Sequence, residues 1–213
     1  MTSRTDIPCS LIAAFLLSFL MGCQQDPRYT TLEAGATVLA FGDSVTYGMG
    51  AGKDEDYPTL LSQRTGWKVV NAGISGDTAQ RATQRLGALL AQHQPALVLI
   101  ELGGNDFLRR RQASRVKADL RTILEESKAS GATTVLIAVP KLSVLRASMG
   151  ALSDSPIYAE LAEETGVLLV ADVFAEVLSE DALRADQIHP NAAGYRQFTE
   201  ALLEKLTIAG LAQ

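Results

Sequence analysis

Five short, largely apolar runs limit most strongly how this chain can fold. They lack the alternation of polar and apolar side chains that marks a half-exposed strand. Runs that are apolar on both faces are typical of parallel strands buried between two layers of helices. The runs span residues 38–41, 68–70, 96–100, 134–139 and 167–170.

Stretches with the helical period fill the gaps between these runs. They predict helices over residues 55–64, 79–90, 116–124 and 157–164, with a last helix beginning at Pro190. Strands that alternate with helices predict an α/β fold. We expect a doubly wound, three-layer αβα sandwich around a five-stranded parallel sheet.

The candidate reactive side chains fall where such a sheet binds its ligands, at the carboxyl ends of the strands. Ser44 follows the first predicted strand, and Asp186 and His189 lie in the turn before the last helix. A serine nucleophile, an imidazole base and an orienting carboxylate are the parts that acyl transfer needs. We therefore predict that Ser44, His189 and Asp186 form one catalytic site, with Asp181 as the alternative carboxylate.

Composition excludes several other chemistries. A formal net charge of −5 provides no basic surface for nucleic acid. The two histidines, His93 and His189, are far apart in sequence, and both cysteines, Cys9 and Cys23, precede the predicted fold. No usual zinc site can be completed from this set. We expect neither a metal nor a cofactor, and serine remains the candidate nucleophile.

The N-terminus has the features of a lipoprotein signal peptide. Residues 9–21 form an apolar stretch too short to span a membrane. It ends in Leu20-Met21-Gly22-Cys23, which resembles the bacterial lipobox, whose cysteine becomes the lipidated first residue. We predict a signal peptide over 1–22, a lipidated Cys23 and tether over 23–36, and a folded domain over 37–208. Ordinary secretion with cleavage nearby is the alternative.

Four sequence blocks resemble those of the SGNH (GDSL-type) hydrolase family, and together they cover nearly the whole predicted domain. They read GDSVTYG (42–48), NAGISGDT (71–78), ELGGND (101–106) and DQIH (186–189). The second and third look like the branch of periplasmic arylesterases, acyl-CoA thioesterases and lysophospholipases. The resemblance implies a flavodoxin-like SGNH hydrolase fold. It assigns the four name-giving positions to Ser44, Gly73, Asn105 and His189, and the triad acid to Asp186.

The resemblance also implies a role for each of these residues. Ser44 would attack the acyl carbonyl while His189 takes its proton and later returns it to the leaving group. Asp186 would hold the imidazole in the required tautomer. The N–H groups of Ser44 and Gly73, with the side-chain amide of Asn105, would bind the oxyanion.

Specificity is less well defined by the sequence. The segment 141–155 is more apolar than a solvated loop should be. Its Leu142 and Leu145 could line an acyl groove together with Phe107 and Leu108. The same segment could instead form a short helix packed on the sheet, and the sequence favours neither interpretation.

The function predicted from these features is that of an exported, lipid-anchored serine esterase. Its expected substrates are carboxylic acyl esters and thioesters, with lysophospholipids and short acyl esters foremost. A carbohydrate O-acetylesterase and a non-catalytic binding lipoprotein are the alternatives. Gln24 after the cysteine does not favour inner-membrane retention, so in a Gram-negative host we expect the periplasmic face of the outer membrane. We expect a monomer.

Overall fold

The computed structural model of the protein describes residues 29–141 and 152–213. Its five strands are all parallel and form one sheet in the order β2–β1–β3–β4–β5, which is the flavodoxin-like order. The predicted α/β architecture with a five-stranded parallel sheet is therefore confirmed. The strands are β1 (Thr37–Gly42), β2 (Lys68–Gly73), β3 (Leu97–Glu101), β4 (Thr133–Ile137) and β5 (Leu168–Val170).

Helices of the described residues cover both faces of this sheet. They are α1 (Ser44–Tyr47), α2 (Tyr57–Thr65), α3 (Ala79–Ala82), α4 (Leu86–His93), α5 (Gly104–Leu108), α6 (Ala113–Ala129), α7 (Pro156–Thr165), α8 (Val173–Ser179) and α9 (Ala192–Ile208). Helices α3, α4, α6 and α7 pack together in one layer, and α2, α8 and α9 in the other. The short helices α1 and α5 follow β1 and β3 directly, at the carboxyl edge of the sheet.

The burial of the strands agrees with the apolar runs that predicted them. Every residue of β3 is buried, as are all residues of β1 after Thr37, because helices cover these central strands on both sides. β2 lies at the sheet edge and is only partly buried. The inward residues of α9 that the period predicts, Phe198, Leu202 and Leu206, are fully buried.

Two helix boundaries differ from the prediction. The helix predicted over 79–90 is broken into α3 and α4, and Arg85 lies at the break. The last helix does not contain Pro190. It begins at Ala192, where the Asn191 side chain accepts the Gly194 N–H at 3.0 Å and caps the first turn.

The sequence predicts a tether over 23–36. The part of it that the structure describes, residues 29–36, is instead bonded to the folded domain. Tyr29 packs against the core, and the Leu32 N–H donates to the Leu211 carbonyl at 2.9 Å. The Gly35 N–H donates to the Gly66 carbonyl at 2.8 Å. Residues 29–36 are therefore held at the amino edge of the sheet, and the fold extends beyond residue 208, since Leu211 is fully buried.

Some predictions lie outside the described residues. They concern the signal peptide over 1–22, the lipidated Cys23, and Leu142 and Leu145 of the apolar segment. Over 29–141 and 152–213, no helix has the length and apolarity needed to cross a membrane.

Candidate active site

Ser44 lies at the start of α1, immediately after the buried strand β1, and is 8% exposed. The Asp43 side chain accepts the Val45 N–H at 3.1 Å and caps this short helix. Gly48, with a φ of 101°, ends the helix in the left-handed conformation. A helix of one turn after a buried strand holds the Ser44 hydroxyl at the carboxyl edge of the sheet.

His189 connects Ser44 to Asp186. Its Nε2 lies 2.9 Å from the Ser44 Oγ, and its Nδ1 lies 2.7 Å from the Asp186 Oδ2. Asp186 Oδ1 accepts the N–H groups of Ile188 at 2.8 Å and His189 at 2.9 Å. The alternative carboxylate, Asp181, pairs with Arg184 instead. The structure thus brings the three predicted residues into one continuous hydrogen-bond chain.

The environment of Asp186 keeps its carboxylate charged. Partial burial acts to raise its pKa, but the hydrogen bond to the His189 ring and the N–H groups of Ile188 and His189 outweigh that effect. The pKa of Asp186 therefore lies below its ordinary value. A charged carboxylate in this position fixes a proton on Nδ1 and leaves Nε2 free to accept one from Ser44.

Asn105 faces the same pocket, but Gly73 does not. Asn105 is in α5 and donates one amide hydrogen to the Asp43 Oδ2 at 2.9 Å. The Gly73 N–H donates to the Asn71 side chain at 2.9 Å. The prediction that Gly73 binds an oxyanion is wrong, because its only N–H already has an acceptor. Gly73 allows close packing instead, since a Cβ there would collide with the backbone of Tyr47.

A second glycine of the same block has a free N–H group. Gly76 has a φ of 76° and lies in a turn closed by the Asp77 N–H, which donates to the Ile74 carbonyl at 3.0 Å. Among the described residues, no acceptor bonds to the Gly76 N–H. The block NAGISGDT contains both glycines. Its sequence therefore indicated a glycine N–H donor but did not show which of the two it is.

The pocket above Ser44 is partly open to solvent, and its lining is partly apolar. Of the two predicted apolar residues of α5, Leu108 lines it and is 45% exposed. Phe107 does not line it and packs against Tyr158, with ring centroids 6.5 Å apart. Three apolar lining residues were not predicted: Val45, Phe174 and Ile188.

Comparison with known proteins identifies the family. Residues 40–197 match the GDSL-like lipase/acylhydrolase family. The chain belongs to this family. The Escherichia coli K12 protein "Thioesterase 1/protease 1/lysophospholipase L1" is 42% identical over 164 residues, which are 74% of this chain and 77% of that protein.

Two further matches cover more of the chain. Esterase TesA of Pseudomonas aeruginosa is 33% identical over 188 residues, 85% of this chain and 92% of its own length. A crystal structure of TesA superposes with a TM-score of 0.72 at 30% identity, covering 81% of this chain and 99% of that one. This GDSL-like protein is a hydrolase that acts on ester bonds.

Two buried acids lie beneath the pocket of this GDSL-like hydrolase. Asp43 is 3% exposed, and Glu101, at the end of β3, is fully buried. Glu101 Oε2 accepts the Thr46 hydroxyl at 3.0 Å, whereas Oε1 has no hydrogen-bond partner among the described residues. Asp43 also accepts the Asn105 amide through its Oδ2, so it connects the loop after β1 to α5.

The burial of these acids alters their ionisation. Burial raises the pKa of Asp43 to about 6, although hydrogen bonds from Val45 and Asn105 oppose the rise. Burial, followed by the nearby charge of Asp43, raises the pKa of Glu101 well above its ordinary value. The pair therefore retains a proton to higher pH than two solvated carboxyls would. Among residues 29–141 and 152–213, no group of three potential metal ligands occurs.

Proposed function

We propose that this esterase hydrolyses carboxylic acyl esters through an acyl-enzyme formed on Ser44. The observation that carries the proposal is the hydrogen-bond chain from Ser44 Oγ through His189 to Asp186, which opens into the pocket. A serine so connected to a neutral imidazole can lose its proton as it attacks.

The first half of the reaction forms the acyl-enzyme. Ser44 Oγ attacks the ester carbonyl carbon, and its proton passes to His189 Nε2. Asp186 stabilises the imidazolium through Nδ1. When the tetrahedral intermediate collapses, the bond to the leaving oxygen breaks and His189 gives that oxygen its proton. Water then attacks the acyl carbonyl with His189 as base, which releases the acid and restores Ser44.

The oxyanion formed in each half-reaction needs hydrogen-bond donors. The Ser44 N–H is one. The Asn105 amide has two hydrogens, and only one of them is donated to Asp43, so the second is available. We propose the free N–H of Gly76 as the third donor, in place of Gly73. Losing one such donor typically costs roughly 2.7–4 kcal/mol of barrier.

The pocket lining supports acyl chains as the group that is recognised. Leu108, Val45 and Phe174 present apolar surface beside Ser44. Relatives of this chain are named for thioesterase, lysophospholipase and esterase activity. We therefore propose short acyl esters and lysophospholipids as substrates, and thioesters by the same attack.

Turnover of p-nitrophenyl esters from acetate to palmitate tests the proposal. Wild-type protein should hydrolyse several chain lengths, and Ser44→Ala should abolish turnover and fluorophosphonate labelling. Ser114→Ala removes an exposed hydroxyl on α6 and should behave as wild type. Turnover of acetate alone would indicate a carbohydrate O-acetylesterase instead. Unchanged turnover in Ser44→Ala would overturn the proposal.

We also propose that the enzyme is exported and lipid-anchored through Cys23. The support is the lipobox-like sequence Leu20-Met21-Gly22-Cys23 after a short apolar stretch. Cells expressing the full chain should incorporate labelled palmitate into it and retain it in the membrane fraction. Cys23→Ala should lose both properties and keep its turnover per molecule. A wild-type protein found in the soluble fraction would contradict the proposal.

A further inference from the structure

One arginine outside the pocket joins the ends of two strands. Arg85 lies at the break between α3 and α4, and its side chain is 19% exposed. Its Nη2 donates to the Gly42 carbonyl at 2.9 Å and its Nη1 to the Ala72 carbonyl at 2.8 Å. Its Nε donates to the Asp77 Oδ2 at 2.9 Å. The guanidinium also lies over the ring of Phe41, 4.1 Å from its centroid.

Two of the three acceptors lie at the ends of β1 and β2, and the third lies in the loop after β2. The two loops that follow these strands hold the proposed oxyanion donors. Gly42 ends β1, two residues before Ser44. Asp77 follows Gly76 and closes the turn that contains it. The guanidinium thus connects the backbone that bears the Ser44 N–H to the turn that bears the Gly76 N–H.

Only arginine can make this set of bonds. Its planar fork has five donors in a fixed arrangement, whereas the lysine ammonium is a compact point charge that cannot reach separated acceptors together. Oxyanion donors must lie about 2.7–3.1 Å from the developing charge, so small shifts between the two loops weaken binding of the intermediate.

We propose that Arg85 is a positioning residue that fixes the separation of the Ser44 and Gly76 N–H groups for oxyanion binding. This inference rests on the proposed acyl transfer at Ser44. Arg85 touches neither the pocket nor the substrate. It acts through the carbonyls of Gly42 and Ala72 and through Asp77. Its removal should therefore destabilise the transition state and leave the affinity for the ester nearly unchanged.

Substitutions of Arg85 and its neighbour Arg81 provide a matched test. Arg81 is 63% exposed and approaches the same Asp77 only to 3.8 Å, so Arg81→Gln should behave as wild type. Arg85→Gln should lower kcat by roughly 10- to 100-fold with KM nearly unchanged, as expected for impaired oxyanion binding. Affinity for a trifluoromethyl ketone, which forms a tetrahedral adduct on serine, should fall by the same factor. Arg85→Lys should show a smaller loss.

The rates are expressed per active serine, counted by fluorophosphonate titration. A lower folded fraction therefore cannot account for a decrease in kcat. If Arg85→Gln does not fold, the kcat of Arg85→Lys, which retains a charge beside Asp77, tests the inference instead. Guanidinium ion should partly restore kcat in Arg85→Ala. A kcat per active serine equal to wild type in the folded Arg85 variants would overturn the inference. Absence of Ser44-dependent turnover in wild type and Arg81→Gln would overturn the proposed function itself.

Discussion

Two carboxylates precede His189 closely in sequence, and their contacts assign them different roles. Asp186 bonds to the His189 ring, whereas Asp181 pairs with Arg184 at the surface. Asp186→Asn should lower kcat by roughly 10³- to 10⁴-fold, because an amide no longer holds the required tautomer. Asp181→Asn should leave kcat unchanged. Steady-state assays of both variants check this. An equal loss of kcat in both would contradict the assignment of Asp186 as the triad acid.

Asp43 couples stability to pH. The unfolded chain releases this proton near pH 4, whereas the folded chain, with a pKa of about 6, releases it later. Between these values the folded state binds more protons, so stability falls as pH rises. The change is on the order of 3 kcal/mol. Urea unfolding at pH 4 to 7 should show wild type losing stability relative to Asp43→Asn. A pH-independent difference would contradict the raised pKa.

Gly73 is expected to matter for packing rather than for oxyanion binding. A Cβ there would meet the backbone of Thr46 and Tyr47, which cannot move away without displacing α1. Gly73→Ala should therefore cost about 1–3 kcal/mol of unfolding free energy. Gly87→Ala, in α4, meets only the flexible end of Glu126 and should be neutral or stabilising. Urea denaturation of the pair distinguishes the two sites.

At the scale of elements, the strands were the most predictable part. Their apolar runs lack the polar–apolar alternation of a half-exposed sheet, and the strand ends determine where Ser44 and Asn105 come together. The break at Arg85 was not predictable from the helical period, which carries no information about the hydrogen bonds that Arg85 makes to the strand ends. Gly73 and Gly76 could not be distinguished because only the three-dimensional contacts show which N–H is already bonded. Phe174 joins the pocket from a distant part of the sequence.

Helix α5 presents two large apolar side chains in different directions, and each has its own expected effect. Leu108 lines the pocket, and Phe107 packs on Tyr158. Leu108→Ala should lower kcat/KM for butyrate and longer esters by about tenfold more than for acetate. Phe107→Ala should instead reduce stability and affect all chain lengths equally. Chain-length profiles of both variants, with Tm values, test this assignment.

At the scale of the molecule, the parallel sheet separates two ends with different roles. The carboxyl edge collects the reactive groups from loops that are far apart in sequence. The amino edge holds the segment from Tyr29 to Ala36, which is bonded to the residues that follow α9 and to the loop before β2. The two predicted functions, catalysis and anchoring, thus fall on opposite edges of one sheet.

The attachment at the amino edge sets which way a membrane-bound molecule would face. From Cys23 to Tyr29 the chain can span at most about 21 Å. Strand β1 then adds roughly 20 Å between that edge and Ser44. If Cys23 carried a lipid, a connection this short would favour an orientation in which the sheet edge that bears Ser44 faces away from the bilayer. Such an enzyme would meet esters arriving from the aqueous space, and a lysophospholipid would have to leave its own leaflet before it could be cleaved.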